Sequence, residues 1–363
     1  MILSEAEARK IINLNPYEAI DTQIAERQFQ VILKGFNYLI QEESEMLYIA
    51  DEVGLGKTYV ALGIASLLRH FASNKRQADY KDLILVPKRN LQYKWVKEIN
   101  NFVNHNYMLE CNIVKSVLGS SVGSCSDQSI HHQLEDFDDA NPSYEVFRNS
   151  SFSIATSDNY DWKSKLENAL PDDLKPIFKD GVEKFKSTHQ EIYLKRLFAF
   201  LLNISFPNVD LLIVDEAHNF KHGIGNGVSY RNQIVSRLMG VIQDEDAIIF
   251  NHFPELKSRI KQKAKKVIFL SATPIDNGLH ELKQQLDCFL PNHQFKNAEN
   301  SSDEVKTKLN TFMIRGLMKI KLNQDGDVSR NMYRHEHRRG NVEKAEDAQP
   351  QYIEDDLESI IIG

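Results

Sequence analysis

The chain has 363 residues, 42% of them apolar, and a formal net charge of −7. That is enough apolar chain for one large domain or two ordinary ones, and the mildly acidic balance gives no global signal for nucleic-acid binding, which then rests on local clusters of Lys and Arg. The three cysteines, Cys111, Cys125 and Cys288, lie far apart with no C-x-x-C pair, and no apolar run approaches the ~20 residues of a membrane span, so a disulfide framework, a zinc site and a spanning helix are not indicated and a reducing, cytoplasmic setting is expected.

Residues 1–23 read as a peripheral N-terminal helical extension, with Ile2, Ala6, Ile11 and Ile12 at roughly helical spacing and a break at Asn15-Pro16. A second helix is expected from about Ile24 to Gln41 and carries Arg27-Gln28-Phe29-Gln30. The apolar run Met46 to Ala50 then predicts a buried strand, followed by a loop with Gly54 and Gly56, by Lys57-Thr58, and by the apolar helix-forming segment Val60 to Leu68. Strand, glycine loop, Lys-Thr and helix form the arrangement that cradles a nucleotide phosphate tail. Glycines let backbone N–H groups approach phosphate oxygens where a Cβ would collide. Lys57 places a cation on the terminal phosphates and Thr58 offers a hydroxyl to Mg²⁺. The strict phosphate-loop pattern wants a Gly at position 51, where this chain has Asp51.

After a polar link, Leu83 to Val86 is a continuous apolar run, typical of a parallel strand buried on both faces. It ends at Pro87-Lys88-Arg89-Asn90, before a helix with Leu91, Trp95, Val96 and Ile99. Ligand contacts in open α/β sheets collect just past strand C-termini, which makes Lys88 and Arg89 candidates to grip a nucleic-acid backbone. Cys111 to Val117 predicts another strand, residues 119–129 a Ser/Gly-rich loop, and Ser153 to Ser157 a strand ending in small hydroxyl residues. Residues 161–205 alternate charged and apolar positions at helical spacing and read as a helical insertion packed on the lobe.

Leu211 to His218 (LLIVDEAH) is the second informative stretch. An apolar strand delivers Asp215 and Glu216 to its C-terminal end, Asp215 to hold Mg²⁺ and Glu216 to orient and deprotonate an attacking water. His218 follows as a link between nucleotide and neighbouring segments. The Gly-rich stretch 222–228 lacks Lys-Ser/Thr and reads as a surface loop, and the basic run Lys261 to Lys266 as a solvated charge cluster before a strand. That strand, Val267 to Leu270, ends in Ser271-Ala272-Thr273-Pro274, whose hydroxyls at Ser271 and Thr273 are expected to hydrogen-bond the Asp215-Glu216 segment and sense the γ-phosphate. A helix with Leu279, Leu282, Leu286 and Phe289 follows, then Val305 to Ile320 with Arg315, and residues 321–363 as a basic, then acidic, linker or tail.

Four stretches in this order, YIADEVGLGKT, LILVPKRNLQYKWVKEI, LLIVDEAHNFK and FLSATPIDNGLHELKQQLDCFLP, resemble the first RecA-like lobe of superfamily-two helicase-like ATPases, nearest the Snf-type chromatin-remodeller and translocase branch. The resemblance covers about residues 24–320, with 119–210 atypical. It implies a RecA-like (P-loop NTPase) α/β fold, a parallel sheet with helices on both faces plus the helical insertion. It implies ATP and Mg²⁺ as cofactors, with Asp51, Glu52, Val53, Gly54, Leu55, Gly56, Lys57 and Thr58 forming the nucleotide loop and Gln28 or Gln30 reading the adenine edge, a task suited to a carboxamide that both donates and accepts. It also implies DNA as partner, double-stranded and held mainly through phosphates at Lys88, Arg89 and Thr156. The family has a second RecA-like lobe that supplies an arginine finger. No later segment here carries a Gln-x-x-Arg-x-x-Arg-like pattern, so that lobe is expected in a longer chain or a separate polypeptide. The leading expectation is an ATP-hydrolysing translocase lobe; the alternative is a nucleotide-gated binding or regulatory module with little turnover. A phosphate-loop kinase is disfavoured, since it needs no SATP segment followed by a Glu-Leu helix.

Overall fold

A computed structural model describes residues 2–18, 20–74, 80–115, 143–152, 162–168, 170–187, 191–225, 229–275, 278–293, 295–296, 302–322, 326–329 and 350–354. The chain opens with helix α1 (Glu5–Ile11), started by a capping box between Ser4 and Glu7. Helix α2 (Thr22–Leu39) follows, its first turn capped by the Asp21 carboxylate accepting from the Gln23 and Ile24 N–H groups. Strand β1 (Met46–Ile49), helix α3 (Lys57–Asn74), strand β2 (Lys81–Val86) and helix α4 (Arg89–Asn101) come next. Strands β3 (Ser143–Arg148), β4 (Val209–Asp215), β5 (Ala264–Leu270) and β6 (Met313–Ile314) complete a six-stranded sheet in the order β3-β2-β4-β5-β1-β6. Every pairing in it is parallel. This is the expected RecA-like α/β sheet, with helices on both faces.

Side chains alternate across the sheet with period two and feed two apolar layers. Met46, Tyr48, Leu212, Val214, Val267 and Phe269 enter one layer. Leu47, Ile49, Leu211, Ile213, Ile268 and Leu270 enter the other, with α1, α2, α3 and α4. At Gly63 of α3 a Cβ would fall 2.3 Å from Ile32 Cδ1, so α2 and α3 meet with no room for a side chain. The opposite layer is built on the helix Glu191–Ser205, buried without interruption from Leu194 to Asn203. Each fully buried Leu or Phe there contributes on the order of 1.5–3 kcal/mol. The expected helical insertion, about residues 161–205, takes the form of three described helices before β4, Trp162–Asn168, Lys175–Lys184 and Glu191–Ser205, and the last of them is core.

The register decides where loops emerge. Leu270 of β5 pairs with Ile49 of β1 on one side and with Asp215 of β4 on the other. Leu85 of β2 pairs with Val214. The loops after β1, β2, β4 and β5 therefore leave the sheet at one level and one edge.

Four expectations change. Residues 1–23 are not peripheral: Ala8, Ile11, Ile12 and Leu14 share the apolar layer of α2 and α3, and Leu3 exchanges backbone hydrogen bonds with the Asn37 carboxamide. Cys111 begins no strand as far as Lys115. Its carbonyl accepts from the Val114 and Lys115 N–H groups, closing the short helix Asn112–Lys115, and the sheet position beside β2 is taken by β3. The basic run Lys261 to Lys266 divides: Lys261 and Lys265 are exposed, Lys265 beside Asp210, whereas buried Lys263 donates to Phe206 O at 2.7 Å and Lys266 donates to Gln41 O and Ser44 O. In place of a plain linker, β7 (Gly316–Leu322) pairs antiparallel with β8 (Gly326–Ser329) and β9 (Pro350–Glu354). The strand expected at Ser153 to Ser157, the loop expected at residues 119–129, and the basic stretch 330–340 lie outside the described residues. Among the described residues no helix is long and apolar enough to cross a membrane.

Candidate functional site

The loop from Ala50 to Gly56 is pinned at its start. Ala50 N–H donates to Ile314 O at 2.7 Å and Glu52 N–H to Gly316 O at 3.0 Å, so the β6–β7 junction holds the loop's entry. Gly54 and Gly56 take φ of 99° and 78°, the left-handed region that costs other residues about 1–2 kcal/mol. Helix α3 starts at once with Lys57, leaving its first N–H groups directed at the loop mouth. The Lys57 ammonium donates to Asp51 O at 2.7 Å and Glu52 O at 3.4 Å.

The structure divides the expected loop residues into two kinds. Val53, Gly54, Gly56, Lys57 and Thr58 line the open side, with Val53 69% exposed. Asp51, Glu52 and Leu55 are buried, and the Asp51 carboxylate pairs with Arg27 of α2. These three residues lie within the lobe and fasten the loop to it, the Glu52 N–H through Gly316 O and the Leu55 carbonyl through Gln28. Arg27 escaped the sequence reading because its partner lies on a different element.

Of the paired candidates Gln28 and Gln30, the structure brings only Gln28 to the loop. Gln28 is buried, donates to Leu55 O at 3.1 Å, and would meet a Gly56 Cβ at 2.2 Å from its Nε2. Gln30, two residues on, faces the opposite side of α2 and bonds Glu5 and Glu26 at the surface. Beside Gln28 opens a cavity of about 560 Å³ lined by Tyr17, Ile24, Gly54, Gly56, Tyr59 and His105, among others. Tyr17 OH lies 3.1 Å from His105 Nδ1, which fixes one wall. Tyr17 belongs to the segment read as peripheral, and no local pattern marked it. Gly56→Ala is expected to cost about 1–2 kcal/mol in the loop conformation alone and to lose nucleotide binding, checked by melting temperature and titration with a fluorescent ATP analogue.

Across β5, the two acids sit at the end of β4. Glu216 takes φ 51° and ψ 52°, a left-handed conformation uncommon for a side-chain-bearing residue. This turn redirects Glu216 from the strand's alternation, so that both acids face one edge. Asp215 Oδ2 accepts from Trp95 Nε1 at 2.7 Å and Oδ1 from the Glu216 N–H at 3.0 Å. Glu216 Oε2 lies 3.3 Å from His218 Nδ1, which is 3.1 Å from Ser271 Oγ. The expected contact of Ser271 with the acid segment thus runs through His218. Thr273 gives its backbone N–H to Ser271 Oγ at 3.2 Å and leaves its side chain exposed, so its hydroxyl does not make the contact expected of it. Tyr48 OH donates to Gln285 Oε1, and Gln285 Nε2 to Pro274 O, both at 2.7 Å, fixing the segment from beneath.

Charge completes the picture. Burial pushes the Lys57 ammonium below its ordinary pKa, while Asp51, Glu216, Asp215 and Glu52 pull it up. Burial pushes the Asp215 carboxyl above its ordinary range, opposed by the Trp95 hydrogen bond. A desolvated ammonium and a desolvated carboxylate thus face one space, and each gains from a counter-charge. A phosphate tail at Lys57 and a divalent cation at Asp215 meet both demands, so the residues present fit Mg²⁺ with a nucleotide.

Lys88 and Arg89 are exposed at the same sheet edge, and Arg89 folds over Tyr93, its guanidinium 5.6 Å from the ring centre and hydrogen-bonded to the phenol. Thr156 lies outside the described residues.

The model of the SNF2-related domain matches residues 30–335. No curated protein sequence matches the chain significantly. Among solved structures, the chain is similar to the Sulfolobus solfataricus SWI2/SNF2 ATPase core domain, with 14% identity over 85% of this chain and 45% of that one and a TM-score of 0.38. It is also similar to the Pyrococcus furiosus Hef helicase domain, with 14% identity over 77% and 38% and a TM-score of 0.36. A third is the ATP-dependent Type ISP restriction-modification enzyme LlaBIII bound to DNA, with 12% identity over 92% and 14% and a TM-score of 0.34. The matched region is less than half the length of each of these chains.

Proposed function

The chain belongs to the SNF2-related domain family, and on that footing we propose that it is the ATP-binding lobe of a DNA-dependent, Snf-type motor. The observation that carries this reading is the register that brings the loop after β1, with Lys57, and the end of β4, with Asp215 and Glu216, to one edge of the sheet, where both acids act on the Lys57 ammonium. Backbone N–H groups from Gly54 to Thr58 hold the phosphates, and Lys57 leaves its loop carbonyls for the terminal ones. Thr58 and Asp215 would hold Mg²⁺, which when bound with ATP would neutralise charge on the phosphate oxygens. Glu216, on its left-handed turn, orients a water and takes its proton. Gln28 faces the nucleobase from beside the Tyr17 and Tyr59 cavity. His218 and Ser271, with Thr273, report the state of the site to the segment after β5. Lys88, Arg89 and Thr156 contact DNA phosphates, so binding is salt-sensitive and largely indifferent to sequence. A second RecA-like lobe, in the same or another polypeptide, supplies the arginine finger, worth ~10³-fold or more in rate.

The test is nucleotide binding and ATP turnover, with and without duplex DNA, in a preparation that contains both lobes. DNA-stimulated turnover is expected. Tight MgATP binding with no turnover under any of these conditions would instead mark a nucleotide-gated binding module. A narrower prediction concerns the two glutamines. Gln28→Ala is expected to weaken ATP binding by about tenfold, the loss of one or two hydrogen bonds, whereas Gln30→Ala leaves it unchanged. Competition between ATP and GTP measures the same pair: equal loss in both variants would remove Gln28 from the nucleobase site.

A further inference from the structure

Trp95 is 1% exposed and sits on α4, a helix that starts at the Lys88–Arg89 turn. Its indole N–H reaches Asp215 Oδ2 at 2.7 Å, across 120 residues of sequence. An indole N–H can only donate. It therefore favours the ionised carboxylate and fixes which oxygen turns inward. The Glu216 N–H takes the other oxygen at 3.0 Å. Each carboxylate oxygen is thus held by one donor, with a lone pair left on each.

Helix α4 is also fastened to the sheet at Gln92. Gln92 Nε2, buried, donates to Val146 O of β3 at 2.6 Å. One rigid helix then carries exposed cations at its first turn and, less than two turns on, the donor that holds the acid at the end of β4. A shift of the first turn has to move the Trp95 contact or break it.

We infer that Trp95 is a positioning residue for Asp215: it orients the carboxylate for Mg²⁺ and ties it, through α4, to the Lys88–Arg89 turn. This rests on the nucleotide-site reading above. Trp95 touches neither nucleotide nor cation in this role; it acts through Asp215. Partners of this kind around a metal ligand are typically worth about 10- to 100-fold in metal affinity.

The chain has two tryptophans, Trp95 and Trp162, and Trp162 lies in the apolar layer on the other side of the sheet. Trp162→Phe therefore leaves Trp95 as the sole indole reporter, in the full chain with no further change. Titrating this protein with ATP in EDTA and then with Mg²⁺ is expected to change Trp95 emission in the Mg²⁺ step. A duplex oligonucleotide is expected to change it again, and not when Lys88→Ala and Arg89→Ala are added. In parallel, Trp95→Phe is expected to weaken apparent Mg²⁺ affinity in the presence of ATP by about 10- to 100-fold, with Mg²⁺-free ATP affinity unchanged. A filler without positioning role would lower the melting temperature but leave that Mg²⁺ dependence in place. Trp95 emission indifferent to Mg²⁺ while a fluorescent nucleotide shows Mg²⁺-dependent binding would overturn the positioning role. Emission indifferent to bound DNA would overturn the link along α4. Absence of any Mg²⁺–nucleotide binding in the unaltered protein would instead sink the nucleotide-site reading itself, which separates the two failures.

Discussion

Glu216→Gln is expected to lower DNA-stimulated ATP turnover by about 10²–10⁴-fold, the range for removing a general base, while MgATP affinity is retained. The carboxamide has the shape of the carboxylate and keeps the turn at φ 51°, which the Asn219 side chain supports by donating to Glu216 O at 2.7 Å. What it loses is the capacity to take a proton from water. Lys57 and Asp215 are untouched, so the phosphates and the cation bind as before. Steady-state turnover and equilibrium binding, measured on the same preparation, separate the two quantities. Turnover within a few-fold of the unaltered protein would assign the base to another group. A parallel loss of binding and turnover would mean that Glu216 shapes the loop rather than the chemistry.

The largest effect on stability lies beneath the site. Arg69 of α3 and Asp82 of β2 form an ion pair in which both side chains are fully buried. The guanidinium also lies 3.7 Å from the centre of the Tyr144 ring. Burial still pushes the Asp82 carboxyl up, to about 6, against the pull of Arg69. Arg69→Met leaves that carboxylate buried without its cation, and breaking such a pair costs about 3–5 kcal/mol. The double change Arg69→Met with Asp82→Leu is expected to recover most of the loss, since an apolar pair of similar volume is often neutral or better. The pH dependence has a definite sign. Asp82 binds its proton more tightly folded than unfolded, so its contribution favours folding at low pH and is lost as pH rises through about 6. In Arg69→Met the carboxyl is raised further, and the deficit is expected to be smaller at pH 5 than at pH 8. Urea unfolding of the three proteins at both pH values is the measurement. A deficit independent of pH would mean that packing against Tyr144, not the charge of Asp82, dominates.

The sequence alone determined the parts whose chemistry is local. A glycine loop between an apolar strand and Lys57-Thr58 has one economical use, and four apolar residues before Asp215-Glu216 make a buried strand that ends in acids. Period and composition also marked β1, β2, β4 and β5, because strands buried on both faces read as unbroken apolar runs. Less was legible where the signal was weak. Strand β3, SYEVFR, mixes charge with apolar residues at the sheet edge and carries no unbroken apolar run to mark it. The tertiary structure decided whatever depends on groups far apart in the chain. Parallel strands need crossovers, so neighbours in the sheet are distant in sequence. That is how Trp95 comes to hold Asp215, Tyr48 to reach Gln285 across 237 residues, and Arg27 to secure Asp51. It is also why Gln28 and Gln30 stayed equivalent on paper: their difference is which face of α2 meets the loop. The left-handed turn at Glu216 belongs here too, since nothing in a Glu side chain asks for it and only its surroundings impose it. A sequence records which groups a site needs; the distances at which they act arise only when the sheet assembles.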